Sequence, residues 1–369
     1  MGKHTILHLI APTILGGAER VVINNVELLD NNKFTSVIGC FVSVKRLDNL
    51  FVKELEKRHI NHHMILMKST FDLKNIYQII TLIQRNNIDI LHTHGYRSDI
   101  IGLICAKITG HPIISTVHGW TPTTFKVRIY EMFDRIALFF FNYIVSVSKE
   151  IELSLLRSHI SKTKIKLIPN AISCDKMEKS GYDIRKELGI NKSTRIIGTI
   201  ARLSKEKGIE YLLEAFIVVQ RAFRDTKLLI VGEGGEKDKL VMLSNKECLR
   251  GNVIFYGFES DVGKIYSNID VFVLSSISEG TPMSLLEAMA FGVPVVATNV
   301  GEVSNIINND INGILVEARD VKGLAAGILD ILFNPEKAKR MIIAGRETIE
   351  LRYNSKKWIK EIEEIYSKF

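Results

Sequence analysis

Short runs of β-branched and aliphatic residues recur along the chain, each followed by a segment whose apolar positions return every three to four residues. This alternation predicts parallel sheets joined by crossover helices. In the first half the runs are TILHLIA, SVIGCFV, IDILHTH, PIISTVH, YIVSVS and KIKLIP. After residue 172 the pattern lapses into the polar stretch DKMEKSGYDIRKELGINKST, and a second series then begins: RIIGTIARL, KLLIVGE, NVIFYGF, VFVLSS and VPVVATN. The expected architecture is α/β, with two Rossmann-like parallel-sheet domains facing each other across a cleft. Their expected limits are residues 1–172 and 173–354, and the amphipathic tail SKKWIKEIEEIYSK, within 355–369, is expected to pack back on the first. In open parallel sheets ligands bind beyond the carboxyl ends of the strands, so the cleft is the expected site.

A length of 369 residues suits two domains that each bury a core, and 46% apolar with 24% charged residues excludes a disordered chain. The net charge of +8 changes the picture more, because it is one-sided. Residues 1–172 hold 21 Lys and Arg against 13 Asp and Glu, while residues 173–369 hold 28 of each. A basic first domain reads either as a merely solvated surface or as the mark of an anionic partner: a phosphate ester, an acidic membrane surface or nucleic acid. The aromatic interleaving that base stacking needs is missing, so nucleic acid is not expected.

Cys40, Cys105, Cys174 and Cys248 are too far apart for a C-x-x-C site and read as reduced core residues of a cytoplasmic protein. The N-terminal MGKHTILHLIAPTILGG imitates a signal peptide, but His8 and Pro12 interrupt it and a first strand and turn fit better. No run reaches the ~18 apolar residues that span a bilayer. The nearest, IALFFFNYIVSV at 136–147, is broken by Asn142 and preceded by Lys126, Arg128 and Arg135. It reads either as a core helix leading into a strand or as a basic, aromatic stretch lying on a membrane surface.

The stretch SEGTPMSLLEAMAFGVPVVATN, 278–299, is nearly all apolar or small, yet it keeps Glu279 and Glu287. Gly280 and Thr281 form the turn after strand VFVLSS, and Pro282 suits the first turn of a helix. Glu279 therefore stands in the loop and Glu287 about five residues into the helix, in tightly packed surroundings where an unpaired carboxylate costs several kcal/mol. A vicinal diol, such as a ribose, supplies two donors to Glu287. The amides at the helix start, from Thr281 through Met283 and Ser284 to Leu285, form a seat for phosphate. A nucleoside diphosphate lying this way brings whatever its second phosphate carries near Glu279, and a sugar there offers hydroxyls to bind. Pairing of the two acids with local cations is the competing reading. Against it stands the lack of any Lys or Arg between positions 265 and 318.

Two further segments agree with an anionic ligand. RIIGTIARL leads through SKEKG, placing Arg202 and Lys207 on a turn as a phosphate clamp. PTILGGAER offers Gly16 and Gly17 just before a helix, where backbone can approach a charged group.

EGTPMSLLEAMAFGVPVVAT resembles the E-x7-E signature of family 4 glycosyltransferases, retaining enzymes of the GT-B fold. GGAE at 16–19, IPNAI at 168–172, ARLSKEKG at 201–208 and VGEG at 231–234 fall in that family's order. The resemblance implies Glu287 on the ribose, Glu279 on the donor sugar, and Arg202 and Lys207 on the diphosphate. It places Gly16 and Gly17 near the phosphates from the acceptor domain. Gly232, Gly257 and Phe258 would border the nucleobase, and His118 in STVHGW would lie beside the transferred sugar. All ten histidines occur at or before His159, and His92 and His94 read as a structural pair at a strand end. Neither a carboxylate cluster nor an Asp-x-Asp accompanies them, so no metal and no cofactor are expected.

The implied reaction moves a sugar from a UDP- or GDP-sugar to an acceptor hydroxyl with retained anomeric configuration. Attack is from the front face, and the departing phosphate takes the acceptor's proton. The basic first domain adds the expectation of a lipid-linked glycan, with a polyprenyl link among the candidates, of capsule, exopolysaccharide or lipopolysaccharide type, met on the inner face of the plasma membrane. Rivals are a sugar-nucleotide epimerase, a sugar phosphorylase and a nicotinamide oxidoreductase. The last needs G-x-G-x-x-G after the first strand, which PTILGGAER lacks.

Overall fold

The computed structural model describes residues 3–12, 15–45, 47–68, 72–119, 125–173, 180–246 and 249–369. The chain divides into two units, Met1–Asn170 with Ser355–Phe369, and Ala171–Asn354. The division falls two residues before the boundary expected at 172.

The first unit is built on seven parallel strands: β1 (His4–Ile10), β2 (Phe34–Ser43), β3 (His62–Met67), β4 (Ile90–His94), β5 (Ile113–Val117), β6 (Tyr143–Ser146) and β7 (Ile165–Leu167). Their order across the sheet is β3-β2-β1-β4-β5-β6-β7. The central strands are buried on both faces, which is why they read as continuous apolar runs. One face carries Leu7, Leu9, Leu91 and Val117 into a core with Ile101, Leu138 and Phe141. Side chains alternate across a strand, so His8, His92 and His94 lie on the opposite face. Strand β3 was not among the sequence runs. It is an edge strand with four of its six residues not buried, so it lacks the unbroken apolar pattern of the centre.

Helix ends in this unit follow local chemistry. Asn49 accepts from the amides of Phe51 and Val52 to start Leu50–Lys57, and Ser148 accepts from Ile151 to start Lys149–Arg157. The helix Ser355–Tyr366 belongs to this unit. It buries Trp358, Ile362, Ile365 and Tyr366, and Glu363 accepts from the amide of Asp30 at 2.8 Å.

The second unit has six parallel strands: β8 (Arg195–Ile200), β9 (Thr226–Val231), β10 (Val253–Gly257), β11 (Val271–Leu274), β12 (Val295–Thr298) and β13 (Ile314–Val316). Their order is β10-β9-β8-β11-β12-β13. Ile197, Phe216, Leu228, Val271, Val273 and Ile328 form its core. The three-residue β13 was missed in the sequence, being too short to show a period. Cys40 and Cys105 are buried in the first unit, where burial pushes both thiols up to about 12 and leaves them unreactive. Cys174 and Cys248 lie outside the described residues. No helix among the described residues is long and apolar enough to cross a membrane.

Candidate functional site

The order of the second sheet reverses between β8 and β11, and the connections leaving adjacent strands diverge at such a point to open a crevice at their carboxyl ends. Here the two connections are stitched together. The amide of Ile277 donates to the Glu206 carbonyl at 2.7 Å, and Ser275 Oγ to the Lys207 carbonyl at 3.0 Å. Gly208 joins the short turn Lys205–Lys207 to the helix Ile209–Ala222 in the left-handed region, φ 57°, and a Cβ there would lie 2.2 Å from the Ser275 carbonyl oxygen. Gly301, at φ 54°, lets the backbone pass Glu279 in the same way, a Cβ meeting its carbonyl oxygen at 1.9 Å. Neither position accepts a side chain without moving the loop.

This stitching sets Lys207 Nζ 2.7 Å from Glu279 Oε1, and Ser276 Oγ donates to the same oxygen at 2.6 Å. The Glu279 side chain is 8% exposed and that of Lys207 20%. The pair bears on the competing reading: Glu279 does meet a cation, though not a local one. Its partner stands 72 positions earlier in the chain and arrives because β8 and β11 are neighbours. Arg202 is also committed to an acid. Its guanidinium bonds Glu206, and its Nε donates to Ser204 Oγ at 3.2 Å, leaving the side chain half exposed. Burial pushes the Glu206 carboxyl up, but the bonds from Ser204 and Arg202 outweigh it and hold it below its ordinary value.

The helix after β11 runs Met283–Phe291, with Pro282 immediately before its first residue rather than inside its first turn. The amides of Leu285 and Leu286 both donate to the Pro282 carbonyl, at 3.2 and 3.3 Å. Leu285 therefore drops out of the predicted phosphate seat, and its side chain is in the core. The Met283 and Ser284 amides have no acceptor among the described residues. With the positive end of the helix dipole behind them, they suit an anion. Gly280 accepts from the amide of Glu302 at 3.1 Å, and Thr281 is buried. Glu287, 5% exposed, accepts at Oε2 from the Tyr266 hydroxyl at 3.1 Å. Tyr266 and Ser276 were not singled out in the sequence. Ser276 stands only three positions before Glu279 on the same loop, and Tyr266 ends the short helix Val262–Tyr266 ahead of β11; neither carries a mark in the sequence that ties it to an acid.

Gly232 follows β9, its amide donating to the carbonyl of Gly257, the last residue of β10, at 2.7 Å; Phe258 comes next, half-buried. These three residues flank the crevice on the β9–β10 side of the same sheet.

In the first unit Gly16 precedes the helix Gly17–Leu28, and its amide donates to Glu19 Oε2 at 3.1 Å. His118 follows β5 and meets a group of imidazoles larger than the pair expected. Strand register sets His8 opposite His92 and Ile10 opposite His94. His8 Nδ1 lies 3.2 Å from His94 Nε2, and His94 Nδ1 lies 3.4 Å from His118 Nε2. His92 is held between the Tyr366 hydroxyl at 2.6 Å and Thr116 Oγ1 at 2.8 Å. Burial lowers His8 to about 3 and His118 to about 4, and burial with neighbouring imidazoles lowers His92 and His94 well below their ordinary value. All four rings are neutral at pH 7. Nitrogens of His8, His92 and His94 approach within 4.8 Å of one another, a spacing open to a metal ion. Both nitrogens of His92 are already engaged by hydroxyls, so a metal would have to displace one of those bonds.

The helix Phe125–Leu138 exposes Met132, Phe133 and Ile136, and Phe139 and Phe140 follow, also exposed. Arg128 is exposed on it. Arg135 is not part of that surface: its Nη1 donates to Ser154 Oγ and Ser158 Oγ, both at 3.0 Å, drawing it onto the helix Lys149–Arg157. The side chain of Lys126 lies outside the described residues.

Two protein families match. "Glycosyltransferase Family 4" covers residues 15–176 and "Glycosyl transferases group 1" covers residues 182–348. Over 99% of this chain and 97% of the relative, the sequence is 25% identical to an Escherichia coli UDP-Gal:alpha-D-GlcNAc-diphosphoundecaprenol alpha-1,3-galactosyltransferase. It is 29% identical to the capsular polysaccharide biosynthesis glycosyltransferase CapM of Staphylococcus aureus, over 83% of this chain and 85% of the relative. Among solved structures, Anabaena HepE in complex with UDP and glucose superposes with a TM-score of 0.87 at 20% identity, covering 99% of both chains. The two sheets and these structural neighbours make the fold GT-B.

Proposed function

Given that the chain belongs to the family 4 glycosyltransferases, enzymes of glycan synthesis, we propose that it moves a sugar from a nucleoside-diphosphate donor to an acceptor hydroxyl with retained anomeric configuration. The observation that carries this reading is the Lys207–Glu279 pair on stitched loops whose β11 branch ends in the two unbonded amides of Met283 and Ser284.

In this reading the donor's diphosphate takes those amides, with Lys207 and Arg202 as its cations. Glu287, oriented by Tyr266, accepts from the ribose hydroxyls, and Gly232, Gly257 and Phe258 border the base. Glu279 accepts from a hydroxyl of the sugar while keeping Lys207 aimed at the phosphate. Gly16 and Gly17 are proposed to serve the donor's phosphates, and His118 the transferred sugar.

The bond from the anomeric carbon to the phosphate oxygen breaks, and a bond to the acceptor oxygen forms on the same face. The acceptor's proton passes to the departing phosphate oxygen. Charge grows on that oxygen, so fixed donors there lower the barrier; removal of one such donor costs roughly 100- to 1000-fold in kcat. The cations and amides of this chain supply the positive charge that a divalent ion provides elsewhere, and the reaction is proposed to run without a metal.

The E. coli relative's name includes a UDP-sugar and a diphosphoundecaprenol acceptor. UDP-sugars and polyprenyl-diphosphate glycans are accordingly the first donors and acceptors proposed. The apolar surface of Met132, Phe133, Ile136, Phe139 and Phe140 beside Arg128 supports an acceptor met at an anionic membrane face.

The test is a donor-release assay over a panel of sugar nucleotides in excess EDTA, with Lys207→Ala and Glu287→Ala as variants. Turnover in EDTA is expected, with Lys207→Ala losing about 100-fold or more in kcat. Glu287→Ala should raise the donor KM by at least about tenfold, as loss of a charge-assisted hydrogen bond implies. Wild-type rates in both variants overturn the site. Epimerised donor without acceptor, or a requirement for free phosphate, overturns the reaction, and metal-dependent turnover overturns the metal-free step.

A further inference from the structure

The imidazoles His8, His94 and His118 form a line of two hydrogen bonds that crosses β1, β4 and the end of β5. A neutral imidazole carries one N–H, so each ring donates once. His94 sits in the middle, with Nε2 toward His8 and Nδ1 toward His118. It can donate in only one of the two bonds and must accept in the other.

Two arrangements satisfy both bonds. In the first all three rings carry the proton on Nδ1: His8 donates to His94, and His94 donates to His118. In the second all three carry it on Nε2, and both bonds run the other way. The arrangements differ at the two ends of the line. His8 Nε2 is buried with no hydrogen-bond partner. The first leaves it a bare lone pair, while the second leaves it a buried N–H with no acceptor. Orphaned buried N–H groups are rarer than unmet acceptors. His92 does not disturb the choice, since both its nitrogens are held by the hydroxyls of Tyr366 and Thr116.

We infer that His94, backed by His8, is a positioning residue that fixes His118 as the Nδ1–H tautomer, so that His118 presents a hydrogen-bond donor on the side away from His94. His118 Nδ1 makes no bond to a described residue, and His118 is partly exposed. It is free to donate to an oxygen of a bound substrate, and in the opposite tautomer it would accept. The His94 ring is fixed in turn by its strand: its amide donates to Ser98 Oγ at 3.1 Å, and Ser98 Oγ donates to the Gly95 carbonyl at 2.8 Å. The tautomer assignment stands on the first unit alone. Its consequence for transfer rests on the proposed place of His118 beside the donor sugar.

The experiment is two-bond 15N–1H correlation on histidine-labelled full-length protein at pH 7, assigned with His118→Ala and His94→Phe. The wild-type spectrum is expected to show His118 and His94 protonated on Nδ1. An Nε2-protonated His118 overturns the inference without need of any variant. In His94→Phe the His118 signal should move to a mixture of tautomers, and kcat should fall about tenfold with donor KM within about twofold, as loss of one hydrogen bond made in the transition state implies. In His94→Gln the amide N–H can donate to Nε2, which should restore the Nδ1–H signal and most of kcat. An unchanged tautomer in His94→Phe also overturns the inference. A shifted tautomer with wild-type kcat leaves it standing, and it is then the placing of His118 beside the sugar that fails.

Discussion

Tyr266 holds two functions in one ring. Its face stacks on Phe291 with centroids 5.3 Å apart, deep in the second unit, while its hydroxyl reaches the Ser284 carbonyl at 2.9 Å and Glu287 Oε2 at 3.1 Å. Tyr266→Phe keeps the packing and removes only the oxygen. The expected cost is about 1–3 kcal/mol of stability, because the Ser284 carbonyl and Glu287, which share the single hydroxyl proton, lose their donor. If Glu287 grips the donor's ribose, the same change should raise donor KM several-fold with kcat little altered, since a loosened carboxylate binds ground state and transition state equally badly. Urea denaturation and initial rates measure the two effects, and wild-type values of both would remove Tyr266 from the site. At this scale the two acids were legible, because charge in an apolar stretch stands out. Their partners were not, since Lys207, Tyr266 and Ser276 carry no local signal that ties them to those acids.

The helix Phe125–Leu138 shows how one element serves two solvents. Asp134, Ala137 and Leu138 turn inward, and Phe141 follows them into the core, whereas Met132, Phe133, Ile136, Phe139 and Phe140 remain exposed. The sequence left two readings open for IALFFFNYIVSV: the inward side is a core element, and the exposed apolar side leaves the membrane-surface reading to be tested. A contiguous apolar surface beside a cation is the composition of a membrane-surface contact. The protein is expected to sediment with vesicles containing anionic lipid at low salt, and Phe133→Ser with Phe140→Ser should abolish that sedimentation while leaving the fold unchanged by circular dichroism. Failure of the wild type to bind would remove the membrane from the proposal and leave the transfer chemistry untouched.

Across the whole molecule, titration is divided between the units. All ten histidines lie at or before His159, so residues 171–354 hold none. The folded first unit keeps His8, His92 and His94 neutral, with values lowered by burial from 6.5, to about 3 for His8. The unfolded chain binds protons below 6.5 that the folded chain refuses. Stability is therefore complete above that value and is lost as pH falls toward the folded values. For His8 the loss is roughly 2 kcal/mol at pH 5, and His92 and His94 act in the same direction. Asp99 works in the opposite sense. Burial and the neighbouring Asp134 push its carboxyl well above its ordinary value, so acid returns part of that loss. Calorimetry from pH 7 to pH 5 is expected to show the first unit's transition moving down while the second moves less. Equal shifts in both would mean that the imidazoles are not held neutral. The fold at this scale was largely readable, since continuous apolar runs forecast both central sheets. The exceptions were β3 and β13, one at a solvent-facing edge and the other only three residues long.

By itself the sequence determined the succession of strands and helices, the two-part division and the positions of Glu279 and Glu287. Each of these follows from patterns within about twenty residues, where burial and turn chemistry are read directly along the chain. Tertiary structure alone decided which cation meets Glu279, which hydroxyl holds Glu287, and how His8 and His118 join His94. The lysine and imidazole contacts depend on the order of strands across a sheet and on the register between them, and the Tyr266 contact on how two helices pack; none of this is encoded in local spacing. A carboxylate 72 positions from its lysine becomes its neighbour only once β8 and β11 lie side by side.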